Sequence, residues 1–321
     1  MSIGKAKVLA DASKMSSGDW KSLRQKSVGS SDASSVLGMG RFGSPHAVWR
    51  SKVGDSPDLE SFVMSLGHIM EPVILGLASV ELGMEIDKPD LVLQHPDIEC
   101  MTCNLDGYAT NPYGEEAIVE AKHAGGYLKS ALDSWDETGA PPPGSAAEGY
   151  WVQVQFQMSV TGIDKGYLAA LCDKTFYCIP IARDDDFIAR MEREIPAWWE
   201  GHVTSGEPPP ITGNDAKYVA DKHADLNADA EPVDMADLEE DIESLKSIKA
   251  KIKDLKAQAG DFEERIKDAL GEASVGMLHG SKVVSSFART SRSVDYKTLE
   301  ANYPKVYKEV VREKSSRSYR F

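Results

Sequence analysis

The sequence contains no continuous run of apolar residues long enough to cross a bilayer, which requires about 18 residues. Residues 1–6 also lack the apolar core of a secretory signal peptide. Only four cysteines occur among 321 residues, which is too few for a disulfide scaffold. We therefore expect no membrane association and a reducing, intracellular setting.

Positive charge is scarce, because 36 Lys and Arg residues face 51 Asp and Glu residues, for a net charge of −15. Such a balance is unusual for a protein that binds nucleic acid. Residues 281–321, however, contain ten basic and four acidic side chains, a net charge of +6 that leaves −21 on residues 1–280. An acidic body with a basic end is compatible with a local DNA path, and an ordinary charged surface is the alternative.

The most informative stretch covers residues 105–122 and reads as two strands joined by a turn at Asn111–Gly114. Because side chains alternate along a strand, Glu120 and Lys122 share one face. A turn centred on this tetrapeptide places Asp106 opposite Glu120, with Cβ atoms roughly 5 Å apart. Two carboxylates and a lysine are therefore expected to converge.

Two carboxylates this close repel each other and favour a cation between them. Oxygen ligands suit a hard ion such as Mg²⁺, and a neighbouring lysine can orient water or hold a phosphate oxygen. These groups suffice for metal-assisted phosphodiester hydrolysis. The alternative is an ordinary amphipathic hairpin with a surface ion pair.

A second candidate site lies near the N-terminus. A short helix at 20–25 is followed by residues 27–32, Ser-Val-Gly-Ser-Ser-Asp, which precede another helix at 33–37. Ser30 and Ser31 offer groups that bind phosphate at a helix start. Arg24, seven residues before Ser31, is placed to reach the same anion. The alternative is a plain capped helix.

Two longer helices carry further polar candidates. Residues 59–82 have apolar side chains at a spacing of three to four, which predicts a buried helix. Its His68 and Glu71 share a face, and Glu71 is either an additional metal or water ligand or simply solvated. Residues 146–161 place Tyr150, Gln153 and Gln157 on one face, suited to binding a phosphate or a metal-bound water, or forming a polar surface.

The cysteines form two sequence pairs, Cys100 with Cys103 and Cys172 with Cys178. Both pairs fall in predicted strands, where residues three apart face opposite sides and chelate poorly. We therefore expect neither a zinc site nor an iron–sulfur cluster.

The remaining pattern divides the chain into three parts. Residues 1–212 form a globular domain ending in a Pro-rich edge at 208–213, residues 213–234 form a linker with helix, and residues 235–321 form an extension. The extension combines a heptad-like helix with a small α+β part and a basic end. Further strands are predicted at 91–94, 165–170, 176–181, 275–278 and 282–288. Further helices are predicted from Ser44 and at 126–135, 184–202, 235–270 and 297–310. The loop at 137–144 either shapes a substrate passage or only connects its neighbours, and residues 314–321 form a basic segment.

Five polar pieces occur in a characteristic order, and together they identify a resemblance. In order they are Arg24…Ser30-Ser31, Glu71, Leu105-Asp106-Gly107, Glu120-Ala121-Lys122 and Tyr150…Gln153, the last continuing to Thr161. This order resembles the lambda-exonuclease-like (YqaJ-type) phage recombination nucleases of the PD-(D/E)xK superfamily, over about residues 18–210. Leu105 stands where the superfamily motif has Pro, which is often absent in this group.

The resemblance implies an α/β fold with a restriction-endonuclease-like central mixed sheet flanked by helices. It implies that Asp106, Glu120 and the Ala121 backbone carbonyl hold Mg²⁺, or Mn²⁺ in its place, in a two-metal site. Lys122 would position the water, with Glu71 and Gln153 assisting at the metal. Arg24, Ser30 and Ser31 would bind a DNA 5′-phosphate, with Tyr150 bordering the site.

The resemblance also implies an activity and its partners. Family members digest linear double-stranded DNA from 5′ ends, often as ring-shaped trimers, beside a single-strand annealing protein. This predicts a 5′→3′ exonuclease of phage or prophage origin in the cytoplasm of a bacterial host cell. The alternatives are an endonuclease or nickase of the same fold, and a non-catalytic module that binds DNA or a partner.

Overall fold

The computed structural model describes residues 3–39, 41–55, 62–135, 140–224 and 231–312. It divides into two compact units, Met1–Val219 and Ala220–Phe321. Some predicted features lie outside the described residues, namely residues 59–61 of the long helix, residues 137–139 of the loop, part of the linker at 225–230 and the basic segment 314–321.

A five-stranded mixed sheet is the centre of the first unit. Its strand order is β3-β6-β7-β8-β9, and only β7 and β8 run parallel. A parallel pair needs a crossover, which helices α5 (Gly126–Asp133) and α6 (Glu148–Thr161) supply between β7 and β8. The strands are β3 (Glu85–Asp87), β6 (Gly107–Thr110), β7 (Glu116–Ala124), β8 (Lys165–Cys172) and β9 (Thr175–Ala182).

The first unit also contains a four-stranded sheet with the strand order β1-β4-β5-β2. The sequence predicts β4 and a strand around Cys100 and Cys103 that corresponds to β5, but it does not predict β1 or the two-residue β2. The strands of this sheet are β1 (Lys7–Asp11), β2 (Val28–Gly29), β4 (Leu91–Gln94) and β5 (Met101–Cys103).

Eight helices of the described residues accompany these sheets. The most buried is α6, whose apolar side chains belong to the main core together with strands β4–β8. The predicted mixed sheet flanked by helices is thereby confirmed. The helices are α1 (Ser17–Arg24), α2 (Ser30–Val36), α3 (Pro45–Val53), α4 (Phe62–Leu82), α5 (Gly126–Asp133), α6 (Glu148–Thr161), α7 (Asp185–Trp198), which continues as a π-helical turn at Trp199–Thr204, and α8 (Ala216–Lys222).

Helix α4 differs from its prediction, since the predicted apolar face is the exposed one. Ile74, Leu75 and Ala78 pack against the central sheet, whereas Ile69 and Val80 are 69% and 84% exposed. The helix is apolar on all sides, so periodicity alone selects the wrong face. By length and composition α4 could also cross a membrane, contrary to the expectation from apolar runs, but its packed face belongs to the hydrophobic core against the central sheet.

The first unit extends beyond the predicted edge at residue 212 because the following segment packs back onto α3. Ser44 Oγ donates a hydrogen bond of 2.5 Å to the buried Asp215 carboxylate. The Arg50 guanidinium lies 3.8 Å from the centre of the Tyr218 ring. These contacts attach residues 213–219 to the first unit.

The second unit contains the predicted long helix and a small α+β part. Helix α9 spans Glu239–Leu270 and is followed by the hairpin of β10 (Val275–Leu278) and β11 (Ser281–Ser285). The single helix predicted at 297–310 is two helices, α10 (Tyr296–Asn302) and α11 (Pro304–Val310). Pro304 has no N–H and disfavours helical geometry at Tyr303, so the helix restarts there.

Candidate active site

The β6–β7 hairpin places the first carboxylates as the sequence predicts. Gly107 pairs with Val119 and Thr110 with Glu116, so Asp106 and Glu120 lie next to each other at the end away from the turn. Gly107 is required here, because a Cβ atom would lie 2.8 Å from side-chain atoms of both Ile86 and Leu75. The hairpin therefore packs tightly on α4 directly beside Asp106.

Asp106, Glu120 and Lys122 converge on one face of the sheet. The Lys122 ammonium contacts Oε1 of Glu120 and lies 3.9 Å from Oδ2 of Asp106. The Ala121 N–H donates a hydrogen bond of 3.0 Å to the same Asp106 oxygen. Glu120 is fully buried, whereas a quarter of the Asp106 and Lys122 side chains is exposed. The exposed edges of the cluster thus face a cavity.

The cluster is electrostatically strained by its two carboxylates. Burial and the neighbouring Glu120 charge raise the pKa of Asp106 to about 7, against the opposing effects of Lys122 and the Ala121 N–H. Burial alone would lower the pKa of Lys122, but the Glu120 and Asp106 carboxylates hold it above its usual value. Lys122 therefore stays charged, whereas ionisation of Asp106 is opposed by its surroundings and would be favoured by a further cation.

Glu120 is held in place by a residue of α6. Gln157 Nε2 donates a hydrogen bond of 2.7 Å to Glu120 Oε2, and both side chains are fully buried. The sequence placed Gln157 on the polar face of this helix but assigned the supporting role to Gln153. In the structure Gln153 lines the cavity, whereas Gln157 makes the hydrogen bond. The register of α6 against β7 determines which of the two glutamines reaches Glu120.

The remaining Glu120 oxygen supports a cation at this position. Oε1 of Glu120 is buried against the Lys122 ammonium, and Oε2 accepts the Gln157 hydrogen bond. The buried Glu120 carboxylate beside Asp106, whose pKa is raised, fits a divalent ion held by oxygen ligands. Among the described residues no group of three or more His, Cys, Asp or Glu side chains forms a ready metal site.

A cavity of about 400 Å³ connects these residues with the N-terminal candidates. Arg24, Ser30 and Ser31 line it together with Asp106 and Lys122. Arg24 Nη2 donates to Ser31 Oγ at 3.4 Å, so the two predicted anion ligands are adjacent. Because α2 has only seven residues, we assign this anion site to the side chains rather than to a helix dipole.

A buried ion pair supports the Arg24 side of the cavity. The largely buried Lys52 ammonium donates to Asp32 Oδ2 at 2.6 Å and to the Arg24 carbonyl at 3.0 Å. Burial opposes ionisation of Asp32, but the Lys52 and Arg24 charges lower its pKa. Arg24 also lies 3.5 Å from Asp32, so this carboxylate is shared by the Lys52 and Arg24 cations.

Glu71 and Tyr150 also lie near the centre. Glu71 lines the cavity and accepts a hydrogen bond of 2.5 Å from Lys88, a residue that the sequence did not indicate. The Tyr150 ring centre lies 5.5 Å from the Lys122 ammonium, and burial raises the pKa of its phenol.

The four cysteines are buried or half-buried, and Cys103 lines the cavity. Cys103 and Cys172 are buried, and burial raises the pKa of the half-buried Cys100 and Cys178 thiols to about 11. All four side chains therefore favour the protonated form, which is a poor metal ligand.

The fold and the cluster define a mixed α/β domain in which two carboxylates and a lysine meet at one cavity. Residues 19–164 match the family described as the YqaJ-like viral recombinase domain.

Individual relatives extend over more of the chain. Protein YqaJ of Bacillus subtilis (strain 168) is 29% identical over 327 residues, covering 99% of this chain and 98% of YqaJ. An alkaline exonuclease, LHK-Exo, from Laribacter hongkongensis is 21% identical with a TM-score of 0.46, covering 64% of this chain and 100% of that one. A phage-related exonuclease from Haemophilus somnus 129PT is 12% identical with a TM-score of 0.39, covering 56% and 95%.

Proposed function

We propose that this chain is a Mg²⁺-dependent DNA exonuclease of phage or prophage recombination. It hydrolyses linear double-stranded DNA in the 5′→3′ direction, in the cytoplasm of a bacterial host. The observation that carries the proposal is one cavity that joins the Asp106–Glu120–Lys122 cluster to Arg24 and Ser31. The hydrolytic groups and the site that binds the end of a DNA strand would then contact the same strand.

Asp106, Glu120 and the Ala121 carbonyl would hold Mg²⁺, with Mn²⁺ able to replace it. When bound, the ion would supply charge neutralisation at the scissile phosphate and a lowered pKa for the attacking water. Lys122 remains protonated beside both carboxylates and donates N–H groups to the water or to a phosphate oxygen. The two-metal form implied by the resemblance would also need Glu71, whose carboxylate contacts Lys88.

Arg24, Ser30 and Ser31 recognise the 5′-phosphate in this proposal, and Tyr150 borders the site. A guanidinium binds phosphate through fixed, paired N–H donors, and a serine hydroxyl adds one more. Recognition of a terminal phosphate favours an exonuclease over an endonuclease, because an internal phosphodiester cannot present that doubly charged group. Digestion would leave 3′ single strands for an annealing protein, with the chain acting as a ring-shaped homo-oligomer.

Replacing Gln157 by Leu should weaken divalent-ion binding by about 10–100-fold, because groups that orient a metal ligand typically contribute that much. The hydrogen bond to Glu120 is lost, and the carboxylate is free to turn towards Lys122. Isothermal titration with Mn²⁺ measures the effect.

Gln155→Leu is the matched control, since this buried glutamine of the same helix bonds to the Ala182 carbonyl and the Asp184 N–H instead. Its ion affinity should stay within about twofold of the parent chain. Equal losses in both variants would mean that α6 acts only through general stability.

The test of the exonuclease proposal compares linear duplex DNA with closed circular DNA of the same sequence. We expect Mg²⁺-dependent nucleotide release from the linear form and an intact circle. Cleavage of both forms at similar rates would favour the endonuclease or nickase. DNA binding without hydrolysis or ion binding would favour the non-catalytic module, to which the basic segment after residue 281 would contribute.

A further inference from the structure

One ammonium group in the cavity has no role in the reaction described so far. Lys88 follows β3 and donates a hydrogen bond of 2.5 Å to Glu71 Oε1 on α4. The Lys88 side chain is 49% exposed and that of Glu71 only 11%. Both residues line the same cavity as Asp90 and Asp106. His68 lies on the same side, with Nδ1 4.0 Å from Glu71 Oε2, so Lys88 is the ammonium in direct hydrogen-bond contact with Glu71.

The surroundings of this ammonium are anionic. Burial alone would lower the pKa of Lys88, but the hydrogen bond to Glu71 and the charges of Glu71, Asp90 and Asp106 raise it. Carboxylates gathered around one small space favour a cation among them. In this cavity a side chain of the protein supplies that cation.

We propose that the Lys88 ammonium takes the place of a second metal ion, so that the chain binds one divalent cation rather than two. This inference rests on the proposed metal-dependent function and concerns only the Glu71 side of the site. The ammonium engages a carboxylate that a second ion would need as a ligand, and its charge repels that ion. Its remaining N–H donors are available to a DNA phosphate oxygen.

Two substitutions of Lys88 differ in whether a positive charge remains beside Glu71. Lys88→Met keeps a long apolar stem but removes the charge and the donor, which leaves Glu71 free to bind an ion. Lys88→Arg keeps a permanent cation beside Glu71. The first change should open a second ion site and the second should not.

The experiment counts Mn²⁺ ions per chain, using the electron paramagnetic resonance signal of free Mn²⁺ during titration of the full-length protein. We expect one ion for the parent chain and for Lys88→Arg, and two ions for Lys88→Met. The dependence of hydrolysis on Mg²⁺ concentration should change in parallel, with a Hill coefficient of about one becoming about two in Lys88→Met.

Lys165→Met is the matched control, because Lys165 forms a similar ion pair of 2.9 Å with Glu115 near the hairpin turn, away from the cavity. It should bind one ion. Two ions in the parent chain, or one ion in both the parent chain and Lys88→Met, would overturn the role of Lys88 and leave the proposed function intact. No ion in the parent chain would overturn the proposed metal-dependent function itself.

Discussion

Glu120→Gln should reduce the rate of DNA hydrolysis by about a thousandfold or more without unfolding the protein. The loss of one buried anion removes a metal ligand and the electrostatic stabilisation that depends on it, which is worth several kcal/mol at the transition state. The amide oxygen can still accept the Gln157 hydrogen bond, so the packing of α6 on β7 is kept. Nucleotide release from linear duplex DNA, with circular dichroism as a check on folding, measures the effect.

Glu115→Gln is the control for this change. Glu115 also pairs with a lysine, Lys165, but near the turn of the same hairpin rather than at its catalytic end. Its hydrolysis rate should equal that of the parent chain. Hydrolysis by Glu120→Gln at more than about a tenth of the parent rate would exclude Glu120 as a required ligand.

Lys52→Met should lower the free energy of unfolding by about 3–5 kcal/mol, the typical cost of removing one partner from a buried ion pair. The buried Asp32 carboxylate would be left with Arg24 as its remaining cation, 3.5 Å away. Arg24 would then be drawn towards Asp32 and away from the DNA end. We therefore expect a second effect beside the loss of stability, namely a weaker preference for 5′-phosphate over 5′-hydroxyl ends. Urea unfolding and paired digestion assays measure the two effects.

Lys129→Met provides a comparison on the surface, because Lys129 pairs with Asp133 and the Tyr177 hydroxyl at an exposed site. It should change stability far less than Lys52→Met and leave end preference unaltered. A Lys52→Met protein as stable as the parent chain would contradict the structural role of the Asp32–Lys52 pair.

Local sequence patterns predicted those parts of the site that lie on one hairpin. The turn at Asn111–Gly114 sets the register, and the register alone places Asp106 beside Glu120. Strand alternation then puts Lys122 on the same face as Glu120. Likewise, seven residues separate Arg24 from Ser31, close enough for local geometry to bring them within 3.4 Å.

The parts that were not predicted depend on contacts between distant segments. Lys88 and Glu71 are 17 residues apart, and Lys52 and Asp32 are 20 apart, so neither pair has a signature in sequence spacing. The choice of Gln157 over Gln153 depends on how α6 packs on β7. Helix α4 shows the same limit, because a helix that is apolar all round does not reveal which face meets the sheet.

The most direct test of the central claim is the digestion of linear duplex DNA with 5′-phosphate or 5′-hydroxyl ends, with and without Mg²⁺, by the parent chain and by Lys122→Met. The account predicts nucleotide release only by the parent chain, only with Mg²⁺, and faster from 5′-phosphate ends. Equal release by Lys122→Met, or release without any divalent ion, would contradict the assignment of Asp106, Glu120 and Lys122 as the hydrolytic centre.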